Sequence, residues 1–318
     1  MNEGVVETDV LIDVATAFGL GAIEGPASFV DGGVSGEVFK VATTTGEWAV
    51  KRLFHEPDRA GLEVQARLQD AARAAGVASP RSMRTADGRA VATAGGAHWL
   101  ASEWSDVLRD PATLVQRDRL VIVGDIVATL HDLRLGAPHG VTPWLTTPPS
   151  SAEWGELRVL VRASDPPWAS GFEELYPELV RLAEFAGSVG DEAAVLSHCD
   201  LGPANFGAAA HRLVVFDWER AGAIPPAQEL GYVLTHWAGL GDPAAIVPPI
   251  VAGYRSRSRA QIAVGRDMFA YAANAYLNFL RGAIRSANES RVVGLLHDPM
   301  TLDSVETLAD LASGRGVR

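Results

Sequence analysis

A short polar motif in the second half of the chain restricts fold and chemistry more than any other feature. His198, Asp200 and Asn205 follow the spacing H-x-D-x-x-x-x-N, and the apolar run 213–216 leads directly into Asp217. In phosphoryl transfer an aspartate orients the attacking hydroxyl, and amide and carboxylate oxygens hold Mg²⁺. The joint spacing therefore predicts phosphoryl-transfer chemistry, with Asp200 as the catalytic residue and Asn205 and Asp217 as metal ligands.

This segment resembles the catalytic region of the aminoglycoside phosphotransferase family, whose pattern is close to H-G-D-x-x-x-x-N followed by [IV]-D-[WF]. The resemblance implies a bilobal protein-kinase-like fold of the α+β class. Residues 1–104 would form a small antiparallel β lobe with one long helix, and residues 105–318 a larger, mainly helical lobe. Cys199 stands where glycine is usual and Gly202 where histidine is frequent. Neither change removes a side chain that the chemistry needs.

A glycine-containing hairpin near the N terminus is the predicted phosphate-binding element. The resemblance implies that Gly33, Ser35 and Gly36 approach the nucleotide phosphates, because a backbone without side chains can come close to phosphate oxygens. Lys51, on the strand that follows, would supply a positive charge to those phosphates. A plain β-hairpin with a surface lysine is the alternative.

The long helix expected at 60–75 carries a candidate partner for this lysine. In the kinase-like fold a glutamate of this helix pairs with the strand lysine, which implies an ion pair between Glu63 and Lys51. Glu56 and Asp70 are the competing carboxylates. A solvated helix face is the other interpretation of Glu63.

Two further strands are expected at 90–93 and 99–104, which completes a five-stranded antiparallel sheet. The second of these ends where the chain passes from one lobe to the other. The resemblance implies that backbone groups near Glu103 and Trp104 bind the adenine edge of the nucleotide.

The remainder of the chain is predicted to be mainly helical, with helices at 120–133, 172–189 and 269–285. His131, at the end of the first of these, is expected to pack behind the catalytic loop as a structural residue. The proline-rich stretch 141–170 is predicted to be irregular. Its tryptophans either line the substrate site or anchor the stretch on the hydrophobic core.

Composition excludes several classes of protein. With 47% hydrophobic and 21% charged residues the chain is expected to be a globular enzyme, and no apolar run is long enough to span a membrane. One cysteine excludes an internal disulfide framework and a C-x-x-C metal site. A net charge of −12 argues against nucleic-acid binding; it either attracts a cationic substrate or only keeps the protein soluble. A cytoplasmic monomer or homodimer is expected.

The resemblance implies an O-phosphotransferase that uses ATP or GTP with Mg²⁺ and phosphorylates a small-molecule hydroxyl. Aminoglycosides, amino sugars, macrolides and amino alcohols are the candidate acceptors. The Asp217-Trp218 pair is usual in the small-molecule branch, whereas the C-terminal tail lacks the acidic residues of many aminoglycoside-specific members. Glu229 stands where the family often has an aspartate, which leaves its role open. The alternative function is an inactive nucleotide-binding protein of the same fold.

Overall fold

The computed structural model describes residues 6–32, 35–188, 193–210, 212–259 and 262–315. The chain divides into two compact units, Met1–Arg109 with Asn205–Ala221, and Asp110–Ala204 with Gly222–Arg318. The segment that carries Asn205 and Asp217 thus packs with the N-terminal unit, whereas the sequence-based division assigns it to 105–318. That division into functional lobes stays a prediction.

The strands and helices have these bounds. The strands are β1 (Ser28–Gly32), β2 (Gly36–Thr43), β3 (Gly46–Leu53), β4 (Ala92–Ala94), β5 (Ala97–Glu103), β6 (Val195–Ser197), β7 (Phe206–Ala209), β8 (Arg212–Val215) and β9 (Gly222–Ile224). The helices are α1 (Thr8–Phe18), α2 (Arg59–Ala74), α3 (Pro111–Leu114), α4 (Arg117–Asp132), α5 (Pro143–Thr146), α6 (Ser151–Ser164), α7 (Ala169–Ser188), α8 (Pro226–Ala238), α9 (Pro243–Arg257), α10 (Ala270–Arg285), α11 (Glu289–His297) and α12 (Leu302–Ser313). Short 3-10 helices cover Pro203–Asn205, Trp218–Arg220 and Arg266–Phe269.

The N-terminal unit is built on a five-stranded antiparallel sheet in the order β1-β2-β3-β5-β4. Alternate residues of its central strands are buried, as the period of a strand requires. Phe39, Val50 and Trp99 form a core there with Leu11 and Phe18 of α1. The predicted small antiparallel sheet with a mainly helical C-terminal part is confirmed.

In the second unit, helices α4 and α9 make an unusually close contact at two glycines. A Cβ on Gly124 would lie 1.9 Å from the Ile250 carbonyl oxygen, and one on Gly253 would lie 2.0 Å from that of Val121. Only glycine permits the two backbones to approach this closely. The contact supports α4, whose last turn carries His131.

The stretch 141–170 is more regular than predicted. It contains α5 and the 14-residue helix α6, which begins with a capping box between Ser150 and Glu153. Trp154 on α6 is fully buried, so this tryptophan anchors the stretch on the core. The prediction of an irregular segment was wrong because flanking prolines hid a helical pattern. Among the described residues no helix is long and apolar enough to cross a membrane.

Candidate active site

The β7–β8 hairpin brings the two predicted metal ligands to the same end of one element. Phe206 pairs with Val215 as the terminal pair of the hairpin, and the Phe216 N–H donates to the Asn205 carbonyl oxygen at 2.9 Å. Asn205 and Asp217 therefore flank the hairpin on its two strands. Asp217 has φ 54° and ψ 63°, a left-handed conformation that aspartate tolerates better than most residues. An amide and a carboxylate so arranged are suitable ligands for a hard cation such as Mg²⁺.

Lys51 contacts this hairpin end through two carboxylates. It lies on β3 between Val38 of β2 and Leu100 of β5. Its Nζ is 3.6 Å from Asp217 Oδ1 and 2.5 Å from Glu219 Oε1, and its side chain is only 16% exposed. A nucleoside triphosphate needs a lysine and a metal-binding carboxylate side by side, because its phosphates contact both the lysine and the metal ion.

The predicted ion pair between Lys51 and Glu63 is not formed. Glu63 instead accepts from Arg84 Nη1 at 2.5 Å and from the Ala90 N–H at 2.9 Å. The Arg84 hydrogen bond lowers the pKa of Glu63 below its ordinary value. Glu219 takes the expected place of Glu63, because its short 3-10 turn delivers a carboxylate to the lysine directly.

The turn that holds Asp217 and Glu219 is fixed on both sides. Buried Trp218 donates from Nε1 to Ser79 Oγ at 2.9 Å. Gln65 of α2 donates from Nε2 to the Glu219 carbonyl oxygen at 2.5 Å. Both contacts lie within the N-terminal unit, so α2 supports the lysine indirectly, by holding the turn that carries its partner.

The predicted phosphate loop is described only in part. Gly33 lies outside the described residues. The Ser35 carbonyl oxygen accepts from the Phe54 N–H at 3.0 Å, which closes the end of the β2–β3 ladder. A Cβ on Gly36 would lie 2.3 Å from the Arg52 carbonyl oxygen, so close strand packing is sufficient to require glycine there. Phosphate binding by these residues stays a prediction.

At the end of β5 the backbone donors are already used. The Glu103 N–H donates to the Arg81 carbonyl oxygen at 3.0 Å and the Trp104 N–H to that of Glu47 at 3.1 Å. The Glu103 side chain pairs with Arg81 as well. Adenine binding by this stretch stays a prediction, and these two N–H groups already have acceptors within the protein.

In the second unit, the loop that carries Asp200 is held by a buried carboxylate. Glu229, on α8 and 0% exposed, accepts from the Cys199 N–H through Oε1 at 2.7 Å. Cys199 has φ 61°, a left-handed value that a residue with a side chain rarely adopts. This conformation explains the family's usual glycine. Asp200 itself accepts from the Tyr232 hydroxyl at 3.4 Å.

Glu229 also binds His131, as the second link of a buried chain of hydrogen bonds. His131 Nε2 lies 2.6 Å from Glu229 Oε2, and Nδ1 lies 2.9 Å from the Tyr254 hydroxyl. Burial opposes ionisation of Glu229, but the hydrogen bonds and charge of His131 and the Cys199 N–H outweigh it, so that the pKa of Glu229 is lowered. Burial raises the pKa of Tyr254 to about 12, which keeps its hydroxyl protonated. His131 is thus a structural residue behind the loop that carries Asp200, as predicted.

Sequence reasoning missed two carboxylates that contact candidate site residues or the loop that carries them. No role was assigned to Glu219 from the sequence, although its position two residues after Asp217 keeps it near any residue that contacts the aspartate. Glu229 was noted as a departure from the family pattern. Its place at the start of a helix that follows the motif was the available signal, since the family's aspartate occupies the same position.

Comparisons with known proteins identify the family and the fold. Residues 26–264 match the phosphotransferase enzyme family. A spectinomycin phosphotransferase bound to ADP and spectinomycin superposes with a TM-score of 0.70 at 12% identity, covering 96% of this chain and 99% of that one. An aminoglycoside phosphotransferase from Alicyclobacillus acidocaldarius gives 0.68 at 14% identity over 99% and 97%. An amicoumacin kinase bound to AMP-PNP and Ca²⁺ gives 0.64 at 13% over 93% and 94%. No curated protein matches by sequence. The likenesses confirm the predicted fold.

Proposed function

Because the chain belongs to the phosphotransferase enzyme family, we propose that it transfers the γ-phosphoryl group of ATP or GTP to a hydroxyl of a small molecule. Structural relatives bind ADP or AMP-PNP together with spectinomycin or amicoumacin, which supports a nucleotide donor and a small acceptor. The predicted cytoplasmic location and monomeric or homodimeric state stay predictions.

One observation carries the proposal: Lys51 Nζ lies 3.6 Å from Asp217 Oδ1. A lysine aimed at phosphates and a carboxylate aimed at their metal ion must be neighbours, because both bind the same triphosphate. Asn205, at the other strand of the hairpin, supplies a neutral oxygen. With Mg²⁺ bound by Asn205 and Asp217, the ion would neutralise phosphate charge during transfer.

Asp200 is proposed to act on the acceptor. Its carboxylate orients the acceptor hydroxyl and takes its proton as the oxygen bonds to the γ-phosphorus and the bond to the β-phosphate oxygen breaks. The products are a phosphate monoester and the nucleoside diphosphate. The Tyr232 hydroxyl hydrogen-bonds Asp200 Oδ1 and the Glu229–Cys199 bond holds the preceding peptide, so the carboxylate is positioned from two sides.

The alternative is an inactive nucleotide-binding protein of the same fold. Such a protein has no need for an intact set of transfer residues. Retention of Lys51, Asp200, Asn205 and Asp217 favours the enzyme. The Lys51 contact would serve either function, so activity must be measured.

The experiment is a nucleotide-consumption screen of the purified protein against aminoglycosides, macrolides, amino sugars and amino alcohols, with ³¹P NMR to identify a phosphate monoester. Asp200→Asn should lower turnover roughly 10²- to 10⁴-fold without weakening nucleotide binding. Asp118→Asn, an exposed position at the start of α4, is the matched control. Nucleotide binding without transfer to any of these acceptors would support the alternative, and equal turnover by Asp200→Asn and the control would refute the role of Asp200.

A further inference from the structure

The second unit contains a cavity of about 630 Å³ between α8, α10 and the segment that joins α11 to α12. Sites for drug-sized molecules typically measure about 300–1,000 Å³. His236 of α8 and Tyr276 and Phe279 of α10 supply aromatic walls, while Met300 and Leu308 add apolar surface. The cavity is therefore large enough for a whole small molecule and mainly apolar.

This cavity adjoins the catalytic aspartate through α8. The rings of His236 and Tyr232 stack with centroids 4.1 Å apart. The Tyr232 hydroxyl in turn donates to Asp200 Oδ1 at 3.4 Å. The loop approaches the same wall, since a Cβ on Gly202 would lie 3.7 Å from His236 Cδ2. His236 therefore both lines the cavity and lies beside the loop that carries Asp200.

The charge of the cavity is limited. Among the described residues that line it, Asp298 is the one carboxylate, and it is exposed. The Tyr276 hydroxyl already donates to the Leu295 carbonyl oxygen at 3.0 Å, so the ring offers mainly its apolar surface. An ammonium group that entered without a carboxylate partner would lose its hydration uncompensated. Asp298 can therefore pair with one ammonium group of a bound molecule, but further ammonium groups would have no carboxylate partner among the lining residues.

We infer that this cavity binds the phosphate acceptor, and that the acceptor is a largely apolar alcohol with no more than one ammonium group, which faces Asp298. This inference rests on the proposed function and narrows it. It excludes polyamine aminoglycosides, which are among the candidate acceptors from the sequence.

Binding is measured first, without nucleotide, by calorimetry. The probes are single-amine alcohols with apolar bodies (lincomycin and erythromycin) and polyamine aminoglycosides (kanamycin and neomycin). Thr307→Trp fills the cavity from α12 and should weaken single-amine binding at least tenfold. Glu306→Trp places the same indole ring on the exposed side of α12, where it removes only an exposed 3.8 Å contact with Arg266, and should not weaken binding. Asp298→Asn should weaken it roughly two- to fivefold, as expected for an exposed ion pair. Asp303→Asn, exposed on α12, is its control.

Preferred binding of polyamines, no binding of either single-amine probe, or equal binding by Thr307→Trp and Glu306→Trp would each overturn the inference. Turnover of the same probes separates this outcome from failure of the proposed function. Phosphorylation of kanamycin that depends on Asp200 would overturn the inference and leave the function standing. Single-amine binding that Thr307→Trp abolishes, without any transfer, would contradict the function and retain the cavity as a binding site.

Discussion

Replacing Glu229 with glutamine tests whether a buried carboxylate holds the catalytic loop. Two buried donors face it, His131 Nε2–H at 2.6 Å and the Cys199 N–H at 2.7 Å. The glutamine amide offers one acceptor oxygen and presents its NH₂ to the other donor. One donor is then unsatisfied, which costs about 1–3 kcal/mol, and loss of the buried charge raises the total to about 2–4 kcal/mol.

The expected result is a melting temperature lower by about 5–10 °C, measured by calorimetry, because each kcal/mol shifts the midpoint by about 2–4 °C in a chain of this order of size. The turnover number should fall roughly ten- to hundredfold, since the peptide before Asp200 loses its anchor. Glu184→Gln, exposed on α7, is the matched control and should change the unfolding free energy by less than about 0.5 kcal/mol.

The difference in unfolding free energy between wild type and Glu229→Gln should depend on pH, because the pKa of Glu229 is lowered. A carboxyl whose folded pKa is below its ordinary 4.5 stabilises the fold fully above that pH and loses this contribution as pH falls through the folded value. The gap in unfolding free energy between wild type and Glu229→Gln should therefore be constant near neutrality and narrow below about pH 4.5. Equal stability of Glu229→Gln and Glu184→Gln at pH 7, with no change on acidification, would refute the anchoring role.

Three other substitutions test separate parts of the structure. Glu219→Gln should lower kcat/KM roughly tenfold, because Lys51 loses its 2.5 Å partner, whereas Glu63→Gln should change kcat/KM less than twofold; the reverse order in steady-state kinetics would restore the original pairing. Cys199→Gly should raise the unfolding free energy in urea by about 0.5–1 kcal/mol, since it relieves a φ of 61°; a loss of stability would count against strain at that residue. Gly124→Ala should lower the melting temperature by several degrees, at a cost of about 3 kcal/mol, because the new Cβ would lie 1.9 Å from a carbonyl oxygen of α9; an unchanged melting temperature would show that the helices separate freely.

Elements with a strong local pattern were predictable from the sequence. Apolar spacing predicted the helix found at Arg59–Ala74 and the strands of the N-terminal sheet to within a few residues. The apolar run 213–216 predicted the strand that leads into Asp217, whereas its pairing with Phe206–Ala209, which brings Asn205 close to Asp217, was not predicted. The Ser150-x-x-Glu153 capping box that begins α6 was an available signal, but the neighbouring prolines concealed it.

The partners of individual charged side chains were decided by the tertiary structure alone. From the sequence, several carboxylates were candidate partners of Lys51. In the folded structure β3 approaches the turn after Asp217, and Glu219 of that turn forms the ion pair. Glu229 meets His131 across 98 positions of the chain, a contact that depends on where α4 and α8 lie in the folded unit. A helix or strand depends on residues a few positions apart, so it can be predicted directly from the sequence. An ion pair depends on the distance between two atoms, which long-range packing sets to within a few ångströms.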